Sequence, residues 1–171
     1  MKNNIIVNCK KCNLYNNQLP LLDEIKECDV MWVGLSAKKI LNNSIPLDNN
    51  TNSGKIIELI ENKIEGLKFY KTNLVKCLPL DDNNKLRYPN YLEMEKCIDN
   101  LIAEIDLVKP KLIFLLGKKT LSFVDKYFEE KNIKKSNIYS IEHPSYIYVY
   151  KRKYINDYVE KVCDICKEIN L

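Results

Sequence analysis

The chain has 171 residues, 46% of them hydrophobic and 29% charged, and its 27 Lys and Arg against 23 Asp and Glu leave a formal net charge of +4. Those proportions exclude collagen-like, mucin-like and wholly disordered chains and suit one globular domain, expected to occupy residues 1–171. The small positive excess permits a polyanionic partner without establishing one. Apolar runs such as Leu112 to Leu116 fall far short of the ~20 residues that cross a bilayer, so no membrane contact is expected. The opening residues MKNNIIVNCKKC carry no apolar signal core, which predicts a cytoplasmic protein. In that reducing setting the seven cysteines read as thiols or metal ligands, not as a disulfide framework.

In chain order, Cys9 and Cys12 form a CxxC before any predicted element. Val30 to Leu35 is the first predicted strand, with Gly34-Leu35-Ser36 at its carboxyl end. The Asn-rich stretch 42–52 is expected to be a long surface loop entering or covering a site. Ile56, Ile57, Leu59, Ile60 and Ile64 then recur at helical spacing, with Ser53 as the expected N-cap. Phe69 to Val75 is the second strand and carries Asn73 near its end. Asn90 and Glu93, in capping-box order, open a helix through Ile98, Leu101, Ile102 and Ile105, and Pro110 follows it. Leu112 to Leu116 is the third strand, Leu121 to Phe128 a short helix, Ile138 to Ile141 the fourth strand and Tyr154 to Ile169 a terminal helix. Strands alternating with helices predict an α/β layered fold with a mostly parallel sheet. Ligands of such sheets settle beyond the carboxyl ends of the strands, where Gly34-Leu35-Ser36, Asn73 and His143-Pro144-Ser145 all fall.

The cysteines allow two groupings. A zinc ion could draw two thiolates from Cys9 and Cys12 and two from Cys163 and Cys166. The latter pair, however, falls inside the terminal helical pattern, where cysteines three apart also serve as small apolar side chains. The other grouping takes Cys9, Cys12, Cys77 and Cys97, four thiolates that suit an iron–sulfur cluster as well as zinc. Cys28 stands alone.

The segment Thr72-Asn73-Leu74-Val75-Lys76-Cys77-Leu78-Pro79 resembles the TN-hydrophobic-VKC-x-P segment of the iron–sulfur-containing, family 4 type of uracil-DNA glycosylase. The resemblance extends in order through Cys9-x-x-Cys12, Val33-Gly34, Glu93 with Cys97, Lys109-Pro110 through Gly117, and His143-Pro144-Ser145. It implies a three-layer αβα sandwich around a four-stranded sheet. It also implies a [4Fe–4S] cluster on Cys9, Cys12, Cys77 and Cys97, and excision of uracil from DNA to initiate base excision repair. A monomer acting on DNA that contains uracil or another deaminated base is expected.

The residues suit that chemistry. A base buried in a duplex must be flipped into a pocket before its glycosidic bond is reached. Cleavage leaves a uracil anion, and the charge growing on O2 needs a positioned donor; His143, the sole histidine, is the candidate. The amide of Asn73 offers one donor face and one acceptor to O4 and N3–H of uracil. Gly34, Leu35, Ser36 and Leu47 are the further expected base-contacting residues. Ser145, Tyr146, Lys151, Arg152 and Lys153 are expected to grip DNA, the run 146–150 wedging into the stack and the three cations clamping phosphates.

Two departures from the family pattern stand out. Its first motif usually places a Glu and then Ala-Pro-Gly after the glycine, whereas here the run is Gly34-Leu35-Ser36-Ala37-Lys38, with no carboxylate to orient water. The aromatic residue of its Pro-Phe segment is matched nearest by Leu47, which covers a base face without π-stacking. These changes motivate an alternative: a non-catalytic iron–sulfur protein that binds DNA or abasic sites. The run Asn52-Ser53-Gly54-Lys55 lacks the residues of a phosphate loop, and Asp29, Asp48, Asp81 and Asp82 read as solvated turn acids.

Overall fold

The structure is a computed structural model that describes residues 4–39, 44–131 and 137–169; positions 42 and 43 of the predicted loop lie outside them. Its strands are β1 (Val30–Ser36), β2 (Phe69–Val75), β3 (Leu112–Leu116) and β4 (Ile138–Ile141). They form one sheet in the order β2-β1-β3-β4, and every pairing is parallel. The helices are α1 (Asn4–Val7), α2 (Asn52–Lys63), α3 (Tyr91–Val108), α4 (Lys118–Glu130), α5 (Pro144–Tyr150) and α6 (Ile155–Glu168).

Side chains alternate across a strand with period two, and β1 uses both faces. Met31 and Val33 join Tyr70, Leu74, Ile113 and Leu115 under α3 and α4, which contribute Ile98, Leu101, Phe123 and Phe128. Val30 and Trp32 face the other way with Phe114 and Leu116, under Ile57 and Ile60 of α2 and Val159 and Val162 of α6. A parallel sheet covered on both faces needs such continuous apolar strands, and the result is the expected αβα sandwich. No helix among the described residues is long and apolar enough to cross a membrane.

Local signals settle most helix ends. Asn90 and Glu93 make the full capping box at α3: each side chain accepts the other residue's backbone N–H, at 2.9 and 2.8 Å. At α2 the expectation is corrected. Thr51, not Ser53, is the N-cap, its hydroxyl accepting the Gly54 N–H at 3.0 Å. Ser53 lies inside the first turn, buried. Gly54 is required there because a Cβ would stand 2.0 Å from the carbonyl oxygen of Asp48. The second correction concerns 144–150. The run expected as an aromatic wedge is the helix α5, with Pro144 in its first turn and His143 as its N-cap. Proline suits that position because its fixed φ is helical and it has no N–H to leave unpaired.

Candidate active site

The carboxyl ends of β1, β2 and β3 and the turn after β4 open onto one cleft of ≈ 930 Å³, whose walls include Leu35, Ser36, Asn73, Gly117 and His143. The loop that precedes α2 forms another wall with Ser44, Ile45, Leu47 and Asp48. Asn73 and His143, expected together beyond the strand ends, line the same space.

Each is held by a glycine. Gly34 pairs with Asn73 across β1 and β2, and a Cβ on Gly34 would stand 2.4 Å from Asn73 Oδ1. The carboxamide thus rests on the bare Cα of β1, and 97% of Asn73 is shielded from solvent. Gly117 has φ +88°, a left-handed conformation that disfavours any side chain, and a Cβ there would come within 3.2 Å of His143 Cβ. Leu47 lies beside Gly34, its Cδ2 3.4 Å from that same Cβ position. Leu47 itself has φ 55°. A non-glycine residue held there stores about 1–3 kcal/mol of strain, a cost tolerated chiefly where function fixes the backbone.

The imidazole has a defined tautomer. His143 Nδ1 accepts the Ser145 backbone N–H at 3.3 Å and lies 2.8 Å from the Ser145 hydroxyl. Nδ1 is therefore the unprotonated nitrogen and Nε2 carries the proton, free to donate. Burial, aided by the Lys38 ammonium, lowers the imidazole pKa from 6.5 to about 4. His143 is thus a neutral donor at physiological pH.

The charge of the cleft comes from residues that sequence patterning did not single out. Lys38, Lys39, Lys118 and Lys119 line it, with Arg87. Arg87 is engaged by both carboxylate oxygens of Glu93, at 2.6 and 2.8 Å, and Lys119 lies 4.2 Å from the centre of the Tyr88 ring. Asp48, expected only as a solvated turn acid, is the carboxylate on this lining among the described residues; it does close a turn, its Oδ1 accepting the backbone and side-chain N–H groups of Asn50 at 2.8 and 2.7 Å. Ser53 also lines the cleft. Its buried Oγ has no hydrogen-bond partner among the described residues, an unusual state for a buried hydroxyl.

The expected DNA-gripping run divides. Ser145, Tyr146, Val149 and Tyr150 lie on the cleft wall, and Tyr146 and Tyr150 are 45% and 75% exposed. Lys151, Arg152 and Lys153 are not part of that wall. Lys151 caps the carboxyl end of α5 and pairs with Glu142 at 2.8 Å, while Arg152 and Lys153 begin a 3-10 turn. The cations therefore sit in the junction between the carboxyl end of α5, which favours positive charge, and the start of α6.

On the α3 side of the sheet, Cys9, Cys12, Cys77 and Cys97 surround one small cavity. The Asn100 carboxamide donates to Cys9 Sγ at 3.4 Å and to Cys97 Sγ at 3.7 Å, and the Lys76 N–H donates to Cys97 Sγ at 3.4 Å. Among the described residues no three His, Cys, Asp or Glu side chains form a group fit for a single metal ion. Cys163 and Cys166 lie on the buried face of α6, in the opposite core, and burial pushes the Cys166 thiol up to about 11. The sheet separates the two CxxC pairs, so the zinc pairing is not what the fold brings together.

The chain is 28% identical over 164 residues to the Type-4 uracil-DNA glycosylase of Sulfurisphaera tokodaii, covering 88% of this chain and 67% of that one. It is 24% identical over 131 residues to the enzyme of the same name from Archaeoglobus fulgidus, covering 72% of this chain and 62% of that one. The Saccharolobus solfataricus Type-4 uracil-DNA glycosylase is 33% identical over 105 residues, 58% of this chain and 45% of that one. The crystal structure of wild-type SMUG2 from Pedobacter heparinus shares the fold, with a TM-score of 0.63 at 19% identity over 84% of this chain and 76% of that one. Residues 18–166 match the family model for the Uracil DNA glycosylase superfamily, and the chain belongs to that superfamily.

Proposed function

We propose that this chain hydrolyses the N-glycosidic bond of uracil, or a related deaminated base, in DNA. The observation that carries the reading is the meeting of Asn73 with a neutral, tautomer-fixed His143 on one cleft. Exposed aromatics and lysines border the same space. A flipped nucleotide enters with its phosphates toward Lys38, Lys39, Lys118 and Lys119, which attract the backbone whatever its sequence. Asn73 pairs with O4 and N3–H of the base, and Leu47 covers one base face. As the glycosidic bond stretches, negative charge builds on O2, and Nε2–H of His143 stabilises it without giving up its proton. Water completes the reaction at the sugar, positioned by Ser36 or by Asp48.

Four thiols with amide donors on two of the sulfurs are a donor set suited to a [4Fe–4S] cluster. Cys9, Cys12, Cys77 and Cys97 would hold it. When bound, the cluster supplies a structural tie between the N-terminal segment, the turn after β2 and α3.

The test is excision from a uracil-containing oligonucleotide, single- and double-stranded, by the intact protein and by His143→Ala and Asn73→Ala. Hypoxanthine and xanthine substrates run alongside. Cleavage by the intact protein, lost in both variants, supports the reading; an intact substrate opposes it. The missing carboxylate after Gly34 favours one second reading, a non-hydrolysing binder of the same DNA. Binding without cleavage on the same oligonucleotide would select it.

A further inference from the structure

We propose that Lys76 and Glu104 are a buried positioning pair that holds Asn73 in its base-reading attitude. This rests on the reading of Asn73 given above. Both side chains are almost wholly out of water, at 1% and 0% exposure. Desolvating an ion pair costs several kcal/mol, and apolar residues of similar size usually stabilise a fold as well or better. Such a pair therefore calls for a purpose beyond stability.

Its hydrogen bonds point to one. The three donors of the Lys76 ammonium go to Thr72 Oγ1 at 2.7 Å, the Asn73 carbonyl oxygen at 2.5 Å, and the Glu104 carboxylate. Glu104 in turn accepts from the Tyr70 hydroxyl at 3.0 Å and the Thr72 hydroxyl at 2.8 Å. β2 is an edge strand, so half of its backbone polar groups have no neighbouring strand to pair with. The ammonium supplies that missing partner at Asn73. Tyr70 and Thr72 are pinned to α3 on the face away from the cleft, which leaves the Asn73 carboxamide directed at Gly34 and the base. The backbone N–H of Lys76 also donates to Cys97 Sγ at 3.4 Å. One residue therefore ties the base reader to the four-thiol cavity.

The test is the double variant Lys76→Met/Glu104→Gln, which leaves no unpaired charge and keeps one carboxamide oxygen to accept from Tyr70, with the amide NH2 placed to donate to the Thr72 hydroxyl oxygen. Its single-turnover excision rate and KM are measured on a uracil oligonucleotide, in the native background and in Asn73→Ala. A misplacement of ~1 Å at a reacting centre costs about 10²-fold. The pair variant is expected to lose about 10- to 100-fold in rate with KM little changed, and to lose nothing further in Asn73→Ala. Equal losses in the two backgrounds would show a merely structural role, and a folded variant at native rate would also overturn the proposal. If the double variant does not fold, Thr72→Val, which keeps the ion pair and removes the hydroxyl that both charges share on β2, carries the same comparison, with a loss of about tenfold expected. If Asn73→Ala excises at the native rate, the reading of Asn73 fails first and takes this proposal with it.

Discussion

A single methyl group on β1 gives a sharp test of the site. In Gly34→Ala the new Cβ would stand 2.4 Å from Asn73 Oδ1, whereas ordinary contact begins at 3.4 Å. The neighbour at risk is the end of a side chain, so the carboxamide yields by about 1 Å while the strand stays in place. A displacement of that size at a reacting centre costs about 10²-fold, or about 2.7 kcal/mol of transition-state stabilisation. Folding should scarcely notice. Alanine is favoured over glycine in a strand interior by about 0.5–1 kcal/mol, which offsets the crowding, so Tm should move by no more than about 4 °C. The assay is single-turnover uracil release beside a thermal melt, repeated with Asn73→Ala in the background. There the methyl no longer meets Oδ1, and its effect should shrink. A Gly34→Ala protein that excises uracil at the native rate would refute the placement of Asn73 as the base reader.

Three further outcomes follow from the same geometry. The folded imidazole of His143 stays neutral down to about 4 while an unfolded one protonates near 6.5, so unfolding takes up a proton between those values. Stability should fall as pH drops through that window, by up to about 3 kcal/mol; His143→Gln should remove that slope in denaturant melts, and excision by the native protein should show no inflection near pH 6.5. Replacing Leu47 by Phe supplies a π face at the position proposed to cover the base, and should tighten uracil binding by about 0.5–1.5 kcal/mol in a titration with free uracil. Protein purified without oxygen should be brown with four iron per chain by metal analysis. Cys97→Ser should bleach it and lower Tm, whereas Cys166→Ser should leave the colour unchanged.

Much of the fold was legible because its signals are local. The run Phe69–Val75 coincides with β2, and the Asn90–Glu93 box marks the start of α3 to the residue. The alternation of Ile, Tyr and Val in 146–150 conceals α5, because aromatic and β-branched residues usually favour strands. His143 and Pro144 carry the signal that identifies it, a capping side chain followed by Pro in the first turn. At α2 two hydroxyl residues compete for the cap, and only the geometry of Gly54 against Asp48 selects Thr51 over Ser53. The cleft's lysines come from separate segments around 38 and 118, and the Lys76–Glu104 pair joins residues 28 apart. Neither has a spacing to recognise, since only tertiary packing brings its members together.

We propose above that this cleft breaks a glycosidic bond. Its most direct test is chromatography of the small products after incubating iron-loaded, folded protein with a uracil-containing DNA strand. Free uracil and an equal amount of alkali-labile strand are the predicted result, with neither formed by His143→Ala. A strand that stays whole, with every uracil in place, would contradict the account.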